Sequence, residues 1–255
     1  MPQKISLGGI GVAPAPSVYM GHRTIQSVQV SPAPAVSMGH HNEAAVGMDN
    51  QPISAGFFHE GRWLTDFITP DELEVTNLYN TITKGLTGDD RLIACWHWVA
   101  NQVEYHPNIK ATIEVMGKRS TQNDYWMPAD LTIKTKVGNC AVKAILLTSL
   151  LRNALPQDQV YCVLGNLMTT DPPGGHAWVS LTLGGSEFVM EATRPDLVHP
   201  LIPAGSVNIY DPVHYFNDRE TYSIAGKTVM NPITACYSSW LKDYLDWNYI
   251  NGERR

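Results

Sequence analysis

No stretch of this sequence approaches the roughly 20 consecutive apolar residues that a membrane-crossing helix needs, and no signal-type run opens it. After Met1, Pro2, Gln3 and Lys4 the mildly apolar segment is broken by Gly8, Gly9, Gly11, Pro14 and Pro16, whereas a secretory leader needs an unbroken one. A cytoplasmic location is the expectation. Basic residues are few: 18 Lys and Arg stand against 24 Asp and Glu, with no basic block anywhere. That argues against a nucleic-acid backbone as partner and against electrostatic docking to a membrane. Cysteine is scarce too. Cys95, Cys140, Cys162 and Cys236 lie far apart, without a C-x-x-C pair or histidines at zinc-finger spacing, so reduced thiols are expected and a metal centre is not. No cofactor is expected.

What is present divides unevenly. Residues 1 to 55 are rich in Pro, Ala, Gly, Ser and Met and lack tryptophan or any sustained periodicity, the composition of a flexible segment. Within them, Pro14 to His22 returns as Pro32 to His40, identical at seven of nine positions. The repeat reads either as low complexity or as a duplicated docking motif for a protein partner, two weak sites gaining avidity on one chain. A metal site using His22, His40 and His41 is the third and weakest reading, since they come without carboxylate or cysteine partners at useful spacing.

Residues 56 to 255 read as one folded domain. Thr69-Pro70-Asp71-Glu72 opens a helix that Gly85 and Gly88 close. Asp89 and Asp90 open a second, with Leu92, Ile93, Trp96, Val99 and Val103 as its apolar stripe, ending near Tyr105-His106-Pro107. Residues 117 to 138 read as loop. A helix from Ala141 to Arg152 follows, polar only at Lys143, Thr148, Ser149 and Arg152, which implies burial on most sides. Val160 to Leu164, Ala177 to Leu183 and Phe188 to Ala192 read as strands, the last two joined by a Gly184-Gly185 hairpin turn. Ile233 to Ile250 has the pattern of an amphipathic helix. Helices followed by an antiparallel sheet make the fold class α+β.

Three residues in this layout carry chemistry. Cys140 stands where the apolar helix begins, and the first turn of a helix favours a thiolate through its unpaired N–H groups and macrodipole; the same donors can hold an oxyanion. Gly174-Gly175 delivers His176 to the start of a strand. Glu191, at the far end of the next strand, comes beside it if the hairpin pairs the two. A carboxylate on one imidazole nitrogen fixes the tautomer and leaves the other nitrogen to meet sulfur. Cys95, on a helix face, and Cys162, inside a strand, read as inert buried thiols.

Val137-Gly138-Asn139-Cys140-Ala141-Val142-Lys143-Ala144, the helix to Arg152, His176-Ala177-Trp178 and Met190-Glu191-Ala192-Thr193 resemble the transglutaminase-like superfamily. Trp98-Val99 to Tyr105, then Tyr125-Trp126 and Pro128, resemble the segment before the nucleophile in bacterial and archaeal transglutaminase-like cysteine peptidases. The resemblance covers residues 90 to 196. It implies a papain-like core with a Cys140, His176, Glu191 triad and a peptide or protein substrate. The family usually has Asp where this chain has Asn139, and Asp where it has Glu191; Asp196 is the alternative acid, off the strand beyond Pro195. Trp126, Asn139 and Trp178 are candidates for the substrate cleft or the oxyanion site, with plain packing an equal reading for the tryptophans. The implied reaction is thiol-dependent acyl transfer, most simply hydrolysis of a peptide or related amide. Protein-crosslinking transglutaminase activity and a non-catalytic binding or assembly module are the alternatives.

Overall fold

A computed structural model describes residues 5–8, 50–51, 58–59, 62–107, 109–115, 118–123, 126–168 and 174–229. The elements run β1 (Ile5–Gly8), β2 (Asn50–Gln51), β3 (Phe58–His59), β4 (Arg62–Trp63), α1 (Leu73–Ile82), α2 (Asp89–Gln102), β5 (Glu104–Tyr105), β6 (Lys110–Val115), β7 (Lys118–Asn123), α3 (Ala129–Thr135), β8 (Val137–Gly138), α4 (Cys140–Leu151), β9 (Val160–Leu167), β10 (Gly174–Leu183), β11 (Ser186–Met190), β12 (Ile202–Pro203), β13 (Tyr210–Phe216) and β14 (Thr221–Ile224). The fold is α+β. Its main sheet has seven strands in the order β12-β11-β10-β9-β13-β14-β2, all paired antiparallel. The repeat at Pro14 to His40, Cys236, Tyr125 and the helical pattern at Ile233 to Ile250 lie outside the described residues.

Helix α4 is the axis of the core. Every residue from Cys140 to Leu151 is buried, Lys143, Thr148 and Ser149 included, as its nearly continuous apolar surface requires. It packs on β9 and β10 on one side and on α1, α2 and α3 on the others. Ser149 Oγ on this helix donates to Ile145 O at 2.9 Å and accepts from the Thr69 amide at 3.1 Å.

The segment 117 to 138 is not a loop. It contains strand β7, paired antiparallel to β6, then helix α3 and strand β8. Strand β7, Lys118-Arg-Ser-Thr-Gln-Asn123, has no apolar alternation to read because it is held by backbone pairing in a small three-stranded sheet. Helix α3 has only seven residues, two turns, too few for a 3.6-residue period to emerge. Its Pro128 start and its buried Ala129, Leu131 and Thr132 are the signals that were there. Asp89 and Asp90 fall in the first turn of α2, while Gly88, at φ 54°, takes the cap position without a side-chain bond. Helix α2 ends at Gln102 because Glu104 and Tyr105 leave it to pair in parallel with Val137 and Gly138.

Strand β9 lies between β10 and β13, and its Gly165 faces His176 on one side and Pro212 on the other. A Cβ there would lie 2.3 Å from Asp211 O, 2.5 Å from Trp178 Cη2 and 2.9 Å from Pro212 Cα. Two of those three are main chain and cannot rotate away. Gly165→Ala is therefore expected to destabilise the fold by ~1–3 kcal/mol in urea unfolding. Gly205→Ala, at a site with nothing within 4 Å, should stay within ~0.5 kcal/mol of wild type.

Candidate active site

Cys140 is the first residue of α4, and the turn that presents it is built by the three residues before it. Asn139 is the N-cap: its backbone is extended, and its Oδ1 accepts from the Val142 amide at 3.0 Å, the usual asparagine cap geometry. Gly138 is in tight contact with the helix it precedes, since a Cβ there would lie 2.8 Å from Val142 Cγ1. The parallel bridge to β5 holds the strand: the Glu104 amide donates to Lys136 O at 2.8 Å and the His106 amide to Gly138 O at 3.0 Å.

His176 and Glu191 come together as the hairpin predicts. In the β10–β11 register Val179 faces Met190, so residue 191, the first beyond β11, projects on the same side as Trp178 and His176. His176 Nε2 lies 2.8 Å from Glu191 Oε2, and both side chains are wholly buried. An ionised carboxylate only accepts, so Nε2 carries the hydrogen. Three further groups fix the carboxylate. The Thr193 amide and hydroxyl donate to Oε1 at 2.9 and 2.6 Å, and the Tyr210 hydroxyl donates to Oε2 at 2.9 Å. The Glu191 main-chain carbonyl accepts from Trp96 Nε1 of α2 at 2.8 Å.

Burial alone would raise the pKa of Glu191. The charge of His176, with the hydrogen bonds from His176 and Thr193, outweighs it and holds the carboxyl at about 2. Two aromatic rings stand together beside the imidazole, with the Trp178 centroid 6.1 Å away at 27° and the Tyr210 centroid 6.4 Å away at 29°; the centroids of those two rings are 4.8 Å apart.

The other thiols have different surroundings. Burial pushes Cys95 up to about 12. Cys162 is also raised well above the usual thiol range, by burial and by the nearby Cys140. Neither favours a thiolate. None of Cys95, Cys140 and Cys162 is in a disulfide. Exposure rises from 0 % at Glu191 through 3 % at His176 to 9 % at Cys140, so Cys140 is the least buried residue of the three.

Among the remaining candidates, Trp178 is a buried wall of the imidazole pocket. Trp126 is buried edge-on against Phe67, with ring centroids 5.6 Å apart. Asp196 is paired with Arg194 Nη2 at 2.7 Å and is half exposed, and the acid that reaches His176 is Glu191. Sequence reasoning missed Tyr210 and the anchoring role of Thr193. Thr193 was legible as a hydroxyl two residues after a buried acid. Tyr210 was not, because β13 carries an irregular register between Pro212 and His214 that hides its alternation. Among the described residues no cluster of His, Cys, Asp or Glu could hold a metal ion, and no helix is long and apolar enough to cross a membrane.

No protein-family profile matches the chain, and no curated protein matches it. Among solved structures the chain is similar to EGTA-treated LapG of Legionella pneumophila, at 18% identity and a TM-score of 0.44, over 69% of this chain and 85% of that one. It is also similar to a candidate cysteine protease of Cytophaga hutchinsonii, at 19% identity and a TM-score of 0.36, over 68% of this chain and 60% of the other.

Glu191 titrates near 4.5 in the unfolded chain and near 2 in the fold. Between those values the unfolded chain binds the extra proton, so the stability this carboxylate contributes is complete above the window and is lost as pH falls through it. Urea unfolding of wild type should show that loss, and Glu191→Gln should be less stable than wild type at neutral pH with a flatter profile below pH 4.5. A parallel profile in the variant would place the acid sensitivity elsewhere.

Proposed function

We propose that this chain is a thiol-dependent acyl-transfer enzyme, with Cys140 as nucleophile, His176 as acid and base, and Glu191 as the residue that orients the imidazole. The reaction proposed is hydrolysis of a peptide or related amide bond. The observation that carries the reading is the desolvated His176–Glu191 pair at 2.8 Å. A buried carboxylate tied to one imidazole nitrogen, with its other oxygen tied down separately, steadies an imidazolium next to a nucleophile. A structural ion pair of this kind gains little stability over apolar packing, which supports a chemical reason for its presence.

With Nε2 engaged by Glu191, Nδ1 is the nitrogen assigned to the sulfur. In the proposed sequence the Cys140 thiolate adds to the substrate carbonyl carbon. First-turn amides of α4 are the proposed donors to the resulting oxyanion. The C–N bond then breaks as His176 gives its proton to the departing amine, leaving a Cys140 thioester. Water adds to that thioester while His176 takes a proton from it. The C–S bond breaks, releasing a carboxylic acid and restoring the thiolate and imidazolium. A protein or peptide fits as substrate, approaching from the Cys140 side, where exposure is greatest.

Iodoacetamide at mildly acidic pH is expected to label Cys140 and spare Cys95 and Cys162, and His176→Ala should suppress that labelling. Cys140→Ala should lower turnover of a small peptide amide by ~10³-fold or more. Equal labelling of the three thiols, or none at all, would sink the catalytic reading and favour a binding module. Exchange of the acyl group onto an added primary amine, in place of release as free acid, would make the protein a transglutaminase instead.

A further inference from the structure

Lys143 lies three residues after the proposed nucleophile, on a helix whose every residue is buried, and its own exposure is 0 %. Charged side chains are rarely buried so completely unless they are bound to something. Its ammonium donates to Ala100 O at 3.1 Å and to Val103 O at 2.7 Å. Both carbonyls belong to the C-terminal end of α2, where acceptors have no intrahelical partner and the helix dipole is negative. Helix α2 has no basic residue in its own last turn, so Lys143 supplies that cation from another helix. Burial lowers the ammonium to about 8, and the charge of Glu191 works against that fall, so the group is cationic at neutral pH.

The same helix holds the acid. Trp96 Nε1, one and two turns before Ala100 and Val103 on the same face of α2, donates to the Glu191 carbonyl at 2.8 Å. The residues just after α2 pair with those just before Cys140. One rigid element is thus bonded to the nucleophile's helix, to the turn that precedes the nucleophile and to the backbone of the acid.

We infer that α2 is a brace that sets the spacing between Cys140 and the His176–Glu191 pair, and that Lys143 is a positioning residue acting through it. This rests on the acyl-transfer reading above. Misplacement of reacting groups by about 1 Å can cost about a hundredfold in rate, and a brace of this kind acts on turnover more than on substrate binding.

The test compares Lys143→Met, Trp96→Phe and the double variant, with Asn101→Ala as control, using a small peptide amide. Asn101 is an exposed residue of α2 whose side-chain amide donates within its own helix, to His97 O. Each single variant of the brace should lose roughly 10- to 100-fold in kcat with KM within about twofold, and Cys140 alkylation should slow in parallel. The double variant should be little worse than the poorer single one, because either break frees the same element. Asn101→Ala should match wild type. Wild-type kcat in Lys143→Met, a loss confined to KM, or fully multiplicative losses in the double variant would each overturn the brace. If Lys143→Met does not fold, Lys143→Gln, which keeps a donor without the charge, is held to the same criteria. Absence of Cys140-dependent turnover in the wild-type protein would instead overturn the acyl-transfer reading, so the two failures are told apart.

Discussion

A carboxylate with no access to water organises this molecule. Placing Glu191 in the interior imposes a large desolvation cost that only close donors can offset, and the donors come from several parts of the chain: His176 on β10, Tyr210 on β13, and Thr193 two residues ahead. Each is therefore held in place as much by the acid as the acid is by it. Register between β10 and β11, the approach of β13 across β9 and the seat of Trp96 on the Glu191 carbonyl all converge on one side chain. The imidazole inherits its tautomer from this arrangement, and with the tautomer its direction.

Helix α4, which begins at Cys140, solves a complementary problem. Packed between a sheet and three helices, α4 runs through the apolar core and contributes Ile145, Leu146, Leu147, Leu150 and Leu151, all fully buried. Its position is fixed by packing before any polar contact is counted. The few polar side chains on it then act as pins of defined direction, Ser149 toward the Thr69 amide and Lys143 toward the end of α2. Dense apolar packing sets the distance between layers, and the pins set rotation and translation along the axis.

Much of this was legible in the residues. The buried helix, the hairpin at Gly184-Gly185 and the pairing of His176 with Glu191 follow from strong signals: an all-round apolar surface, a turn dipeptide and the two-residue period of strands. The segment 117 to 138 reads as loop in the sequence because strand β7 is polar and α3 is short, so neither has a pattern of its own and both owe their form to partners distant in sequence. The same is true of β13, whose irregular register conceals Tyr210. In the sequence Lys143 stands out as a polar interruption of α4. A lysine on a helix that must be buried all round already demands an acceptor, and the uncapped end of α2 is where one was to be found.

Asn139 has a consequence for the charge next to the sulfur. A carboxylate at the N-cap would close the first turn as well as an amide does, but it would set a full negative charge one residue from the sulfur proposed to react as a thiolate. The asparagine makes the same bond to the Val142 amide and brings no net charge. Helix α4 also has no acid in its first turn, so no side chain there neutralises the positive pole of its backbone. The electrostatic field at the threshold of the helix is left to whatever negative group arrives, whether sulfur or substrate oxygen.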